Sequence, residues 1–449
     1  IANTPALYIK TDANVGIGTD NPQAKLHVDG TIHQTGIAYP TIRPTLDLNF
    51  AATKVLDDRI TFTRDGVGTY IDENGILKYA SNNTPRFDHD PVTGESLGLL
   101  IEESRTNILY GTPSQSYTVN TYNLYNSLTG EYNATRLAKN ASGNNQSHGS
   151  WNWNGNLSTT SFVMSVFVKK INHASFFMQV VSSGVGDNLY VYYNIDTGVT
   201  SFTDYSSPGN LTVTRSIENY PDGWFRLIAR VEGFSNAALH SGFRFGFAHP
   251  SNNSQQYQDS SDEVLVFGAQ AEVGNFATSY IPTHESATSV TRGVDTAIIK
   301  GTNFTDFYNA SESTIFFESG VPPVTNSKYF TFHGSDGGGT ELIEAAAVSG
   351  PGANIFTYAD GTVYSNAQVT DSGATTLKYA AGIKANDINL AINGTLGTTD
   401  TSSTQPDALD KLIIGNYSSG NYYLNTSIKK LSYYNKRLPN AQLQGLTQQ

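Results

Sequence analysis

The chain is patterned in twos. In SFVMSVFVKK, Phe162, Met164, Val166 and Val168 fall on one face, and in GFRFGFAH so do Phe243, Phe245 and Phe247. In WFRLIARVEG, Phe225, Leu227, Ala229 and Val231 alternate with Trp224, Arg226, Ile228 and Arg230. Successive side chains of a strand point to opposite sides, so this alternation predicts antiparallel strands with one buried face. TIFFESG, KYFTFHG, DINLAING and KLIIGNY continue the pattern beyond Ser289, with Asn393 and Gly394 as a two-residue hairpin turn. Asn74 and Gly75 are read in the same way, as residues that accept positive φ between TYIDE and ILKYA. Only PNAQLQGL reads as a helix, with Pro439 suited to its first turn and Leu443 and Leu446 on one side. The predicted fold class is all-β: a short N-terminal β-stem followed by two antiparallel β-sandwiches of jelly-roll type. The divisions fall at 1–44, 45–114, 115–288 and 289–449.

The stretch VGIGTDNPQAKLHVDGTI offers Gly16 and Gly18 as the first two glycines of a dinucleotide-binding G-x-G-x-x-G. The third position is Asn21, followed by Pro22 where a helix would have to be under way, and LHVDGTI returns at once to extended alternation. The motif lacks its strand–turn–helix context, and the segment reads as a hairpin and a further short strand. Strands this small bury too little to order themselves, so they are expected to take partners from other chains.

Composition narrows the classes. The 449 residues suggest about three domains. Charged residues make up only 15%, and the aromatic 11% is mostly its 26 Tyr and 22 Phe. With no cysteine there is no disulfide, thiolate nucleophile or cysteine-type zinc site. A net charge of −12 opposes binding to nucleic acid, whose phosphates are neutralised by lysine and arginine. No apolar run is long enough for a spanning helix, so no membrane insertion is expected. The chain opens on Ile1 rather than Met, as a processed chain or a piece of a longer one would.

Several segments resemble parts of known proteins. NVGIGTDNPQAKLHVDGTI resembles the stem repeat of phage tail fibres and related trimeric fibrous proteins: VGIGT, a proline-containing turn, then KLxVxG. ITFTRDGVGTYIDENGILKYASNNTPRFDHDPVTGESLGLLIEESRTNIL resembles a module of phage virion proteins. VFGAQAEVGNFATSYIPT followed by TRGVDTAIIKGTNFTDFYN is similar to the junction, in such proteins, between a carbohydrate-module-like sandwich and a concanavalin-A-like (laminin-G-like) one. INLAINGTLGT, KLIIGNY and SIKKLSYYNKRLPNAQLQGL resemble the closing strands and terminal helical turn of that lectin-like fold. Most of the chain is covered, apart mainly from 111–156. The resemblance implies four parts: an oligomerising β-stem (1–44), a β-rich connector (45–114), a carbohydrate-module-like sandwich (115–288) and a lectin-like sandwich (289–449). It implies a homotrimeric fibre subunit on the outside of a phage virion, a tail fibre, joined to other virion proteins through its N-terminal side. Its expected role is adsorption to a host-surface glycan. A structural head fibre or capsid-decoration protein is the alternative, and a glycan depolymerase a third reading. Gly16 and Gly18 then read as small residues that let backbones approach in a crowded stem.

No catalytic residues are assigned, and an enzyme is not expected. Glucanases of the concanavalin-A-like fold carry E-x-D-x-x-E on one strand; ELIEAAA offers Glu341 and Glu344 without the middle acid. Asp57/Asp58, Glu102/Glu103 and Asp262/Glu263 are adjacent and point to opposite faces when extended. No H-E-x-x-H occurs among the nine histidines. HGSDGGGTE reads as a glycine turn, with calcium binding through Asp336 as the alternative; no other cofactor is implied. The candidate glycan-binding residues are Trp151 and Trp153 in SWNWNGN, and Tyr422 and Tyr423 beside Asn421 in SSGNYYLN. Rings in polar loops stack on sugar faces while amides bond the hydroxyls; the competing reading is that one ring of each pair anchors its loop. Lys429, Lys430, Lys436 and Arg437 read as a solvated strand and turn.

Overall fold

A computed structural model describes residues 7–9, 14–29, 39–115, 118–139, 148–153, 161–181, 188–204, 211–233, 243–251, 261–334, 341–347, 352–359, 362–363, 367–370, 375–417 and 422–448. Among these the protein is all-β, with three short α-helices and one 3-10 turn.

The N-terminal strands Leu7–Ile9, Val15–Ile17 and Leu26–Val28 form a small sheet, the first pair antiparallel and the second parallel. Gly18 has φ +74°, and a Cβ there would lie 2.5 Å from the Asp29 carbonyl oxygen. A Cβ on Gly16 would lie 2.2 Å from that of Thr19. The close approach that requires these glycines is therefore to the chain's own turns. Leu7, Ile9, Ile17 and Leu26 are exposed on this sheet.

The first sandwich stacks two six-stranded antiparallel sheets. One runs Leu109–Gln115, His148–Trp153, Phe243–Phe247, Ser175–Val181, Asn188–Asn194, Thr200–Asp204; the other runs Thr118–Asn126, Glu131–Lys139, Glu263–Val273, Ser161–Lys170, Trp224–Glu232, Thr212–Asn219. Phe162, Met164, Val166 and Val168 meet Phe243, Phe245 and Phe247 in its core, on the faces the alternation assigns to them. The second sheet is also covered on its outer side. Trp224, Phe167, Phe267 and Tyr280 pack there against Ile71 and Leu77 of the hairpin Gly68–Ile71/Leu77–Ala80.

The second sandwich is built from two separated stretches of chain. Leu46–Leu48 and Ser96–Ile101 pair with Thr426–Tyr434, Phe87–His89 pairs with Ser96–Ile101, and Thr61–Thr63 pairs with Thr296–Lys300. Leu46, Leu48, Phe62, Leu99 and Ile101 sit in one core with Ile299, Phe317, Phe332 and Leu431. The expected division between a connector at 45–114 and a sandwich at 289–449 is thus crossed by sheet hydrogen bonds. Local alternation shows that these segments are strands, but the partners of Leu46–Leu48, Thr61–Thr63 and Ser96–Ile101 lie more than 200 residues away. The first sandwich is an insertion within the second. The chain leaves through Arg105–Asn107 and returns through Val290–Arg292, and these two pair antiparallel as a neck.

The two expected hairpin turns differ. Asn393 (φ +46°) and Gly394 (φ +82°) both take positive φ, as a type I′ turn requires. At Asn74–Gly75 only Gly75 does (φ +75°), because the Asp72 carboxylate accepts from the Asn74 and Ile76 N–H groups and lengthens the loop. The helix Asn440–Thr447 follows Pro439, which stands just ahead of its first turn, and Leu443 is buried against Phe316, Ala380 and Tyr434. No helix among the described residues is long and apolar enough to cross a membrane.

Five charged side chains meet beside the neck. Arg86 bonds Glu102 at 2.7 Å and Asp295 at 2.5 Å; Arg292 reaches Glu102 at 2.6 Å and Arg64 reaches Asp295 at 3.2 Å. All are buried. Further bonds surround the cluster: Ser279 donates to both Glu102 oxygens, and Arg64 donates to the carbonyls of Ala80, Ser81 and Thr84, while Arg86 Nε and Arg292 Nε have no hydrogen-bond partner among the described residues. Burial alone would raise the Glu102 carboxyl, but Arg292 and Arg86 more than offset it and hold it at about 2.

Removing one partner leaves opposite charges buried and unpaired, so Glu102→Ala is expected to cost about 3–5 kcal/mol in urea unfolding at neutral pH. The Glu102 contribution is full above the ordinary carboxylate value and is lost as pH falls toward about 2. The stability difference between wild type and Glu102→Gln is therefore expected to shrink across that acid range.

Candidate functional site

After the strand Leu409–Ile414 the chain turns at Gly415 (φ +76°), whose N–H donates to the Tyr329 carbonyl. The Leu424 N–H donates back to the Gly415 carbonyl, and the Lys328 N–H donates to that of Tyr422 at 2.8 Å. These bonds fix both ends of a loop on the sheet that carries Lys328–Gly334 and Leu342–Ala347. Tyr422 is 53% exposed and sits at φ +62°, a conformation uncommon outside glycine.

Around Tyr422 the sheet supplies a polar and aromatic base. The Lys328 ammonium lies 5.5 Å from the Tyr422 ring centre and bonds Glu344 at 2.8 Å, in a nearly buried pair. Tyr417 stands edge-on to Tyr422 at 6.5 Å, and His333 edge-on to Tyr417 at 6.0 Å. An ammonium near an exposed ring holds its orientation, and a presented ring stacks on the C–H face of a sugar.

The other sequence candidates separate. Tyr423 is 9% exposed, and burial followed by Glu103 raises its hydroxyl's pKa, so it anchors the loop that Tyr422 tops. Trp151 is 6% exposed and edge-on to Phe243 at 5.6 Å, a core ring rather than a binding one. It faces inward because its strand alternates against the core, which the polar residues around it in SWNWNGN conceal. Trp153 ends the same strand opposite Leu109, and its side chain lies outside the described residues, as do Asn421 and Asp336. Among the described residues no group of three or more histidines and acids is placed to hold a metal ion. Lys429, Lys430, Lys436 and Arg437 are paired with Glu95, Asp47, Glu312 and Asp387.

Most of the acids considered for catalysis are occupied by structural contacts. Glu344 holds Lys328 and Glu341 accepts from the Asp407 N–H. Asp57 pairs with Arg59, Glu103 with Arg105, Asp262 with His173 and Glu263 with Arg136. Lys328 and Tyr417 were not singled out from the sequence, Glu344 was weighed only as a catalytic acid, and His333 only as the start of the HGSDGGGTE turn. They come from strands that read as ordinary sheet, and Lys328 meets Tyr422 only through the sheet register.

No family model and no curated protein matches the chain. Among solved structures it is similar to the CBM40 module of the Ruminococcus gnavus IT-sialidase bound to α2,3-sialyllactose, at 15% identity and TM-score 0.27, covering 31% of this chain and 84% of that one. It is similar to domain 4 of AbnA, a GH43 extracellular arabinanase from Geobacillus stearothermophilus in complex with arabinotriose, at 13% identity and TM-score 0.29, covering 36% and 78%. Domains LG4-5 of the mouse laminin α1 chain match at 12% identity and TM-score 0.24, covering 74% and 94%. Scores this low leave any functional reading to the chain's own residues.

The three rings are expected to behave differently on truncation. Trp151→Ala and Tyr423→Ala remove buried rings and are expected to cost about 3–5 kcal/mol in denaturant unfolding. Tyr422→Ala, at an exposed position, is expected to stay within about 0.5 kcal/mol of wild type.

Proposed function

We propose that the protein is a non-catalytic fibre subunit of a phage virion, a tail fibre protein, that binds a host-surface glycan during adsorption. The observation that carries this reading is the Tyr422 platform: an exposed ring held at positive φ above a buried Lys328–Glu344 pair. A tyrosine kept in that conformation costs stability, and strain of this kind is retained at binding sites. Stacking on the ring supplies affinity, while Lys328 and the neighbouring polar groups select hydroxyls.

The N-terminal sheet supports the fibre part of the proposal. Three strands of three residues each, with Leu7, Ile9, Ile17 and Leu26 exposed, lack a core of their own. Association of three chains would cover these side chains, with the sandwiches projecting outward and the N-terminal side meeting other virion proteins. The stem sequence's resemblance to fibre repeats points the same way.

Tyr422→Ala is expected to weaken adsorption to host cells about tenfold, which corresponds to about 1.4 kcal/mol of lost stacking. A glycan array scored for both binding and shortened products checks the class of activity. Unaltered adsorption with no glycan bound would favour a structural head fibre or decoration protein, and shortened products would favour a depolymerase. Light scattering of the intact chain is expected to give the trimer mass; a monomer with the N-terminal sheet protected from proteolysis would overturn the oligomeric part.

A further inference from the structure

Between the two sandwiches, beside the neck, lies a half-open cavity of about 170 Å³. An apolar cavity of about 150 Å³ holds a benzene-sized guest, so this one has room for a small ring. Its walls come from both halves of the protein: Asp88 from the second sandwich, Thr69 from the hairpin Gly68–Ile71/Leu77–Ala80, Arg226 and Phe167 from the inserted sandwich, and Thr278 from the loop that follows the strand Glu263–Val273.

Two of these residues carry unmatched charge. Arg226 is 6% exposed; its Nε and Nη2 donate to the Ser165 hydroxyl and Nη2 to the Thr278 carbonyl, and its guanidinium lies 5.4 Å from the Phe167 ring centre. Among the described residues its Nη1 has no hydrogen-bond partner, and the guanidinium has no carboxylate within ion-pair distance. Asp88 accepts from backbone N–H groups, that of Ile71 at 2.7 Å and that of His89, and makes no ion pair among the described residues; burial raises its carboxyl to about 6 although the Arg86 charge lowers it. Every other charged group lining the cavity is neutralised, since Glu102 is held by Arg86 and Arg292. A buried guanidinium and a carboxylate that both line one cavity yet do not pair leave one donor and one acceptor unused.

We propose that this cavity binds one small sugar acid, a monosaccharide-sized uronate. Its carboxylate accepts from Arg226 Nη1, its hydroxyls donate to the Asp88 carboxylate, and its ring lies against the aromatic walls. The charge-assisted bond to Arg226 supplies affinity, and Asp88 discriminates by requiring a hydrogen-bond donor on the guest. This site is separate from the Tyr422 platform and does not depend on it.

The test is titration of the full-length protein with D-glucuronate, followed by calorimetry and by thermal melting, with D-glucose and glycine as controls. Glucuronate is expected to raise the Tm by about 3 °C or more at saturation, with glucose and glycine giving no comparable shift. Asp88→Asn keeps an acceptor for the Ile71 N–H and is expected to weaken glucuronate about tenfold or more. Arg226→Lys is expected to do the same; since Arg226 also bonds Ser165 and Thr278, Ala277→Leu provides a second variant that narrows the cavity without touching either charge. Tyr422→Ala is expected to leave glucuronate binding unchanged. Absence of both heat and Tm shift with glucuronate, an equal response to glucose, or undiminished binding in Asp88→Asn and Ala277→Leu would each overturn the proposal and leave a cavity filled by ordered water.

Discussion

The architecture depends on one buried cluster of charge. Arg64, Arg86 and Glu102 come from the first stretch of the outer sandwich, and Arg292 and Asp295 from the stretch that follows the insertion. Three guanidinium groups and two carboxylates withdrawn from water carry a large desolvation cost, which is offset only when every charge has partners at good geometry. That condition is met only when both stretches and the returning segment at Ser279 are in place together. The cluster therefore favours one register of the neck, and with it one placement of the inserted sandwich.

An insertion needs its two ends close together, and the neck provides this through the pairing of Arg105 with Arg292 and of Asn107 with Val290. Asn107 continues the arrangement into the inserted sandwich, donating to the Ala269 and Ile281 carbonyls and accepting from the Leu109 and Ala271 N–H groups. Each of these backbone groups would otherwise be buried without a partner where the chain changes sheets. Gly274 belongs to the same set, since a Cβ there would overlap the Arg105 guanidinium. The polar residues of LGLLIEESRTNIL thus act as the joint, and the apolar ones as strand.

Local structure was legible where it depends on neighbours in sequence. Alternation placed Phe162 to Val168 and Phe243 to Phe247 on their correct faces, and Asn393–Gly394 gave its turn. What could not be read was long-range: Leu48 pairs with Leu431 and Phe62 with Ala297, and no local pattern encodes such partners. The same limit explains the aromatic candidates. Tyr422 and Tyr423 have nearly the same sequence surroundings, and only the positive φ of Tyr422 turns one ring outward and the other inward. Arg86 and Glu102, separated from Asp295 and Arg292 by about 190 to 210 residues, look like ordinary surface charges in sequence.

The neck and the Tyr422 platform are physically continuous. Asn425, at φ +56°, accepts from the Glu103 N–H at 2.9 Å and donates to the Glu103 carboxylate at 3.1 Å. Glu103 in turn bonds Arg105 at 2.6 Å, and its carbonyl accepts from Arg292 at 2.6 Å. Three residues of the loop, Tyr422, Tyr423 and Asn425, are therefore set by contacts at both ends: Lys328 on the sheet and Glu103 at the neck. A loop held this way loses little conformational freedom when a ligand stacks on it, so more of the contact energy remains as affinity. Arg292 is the link: it belongs to the charge cluster that fixes the inserted sandwich, and it also holds the Glu103 backbone whose side chain bonds Asn425 beside the exposed ring.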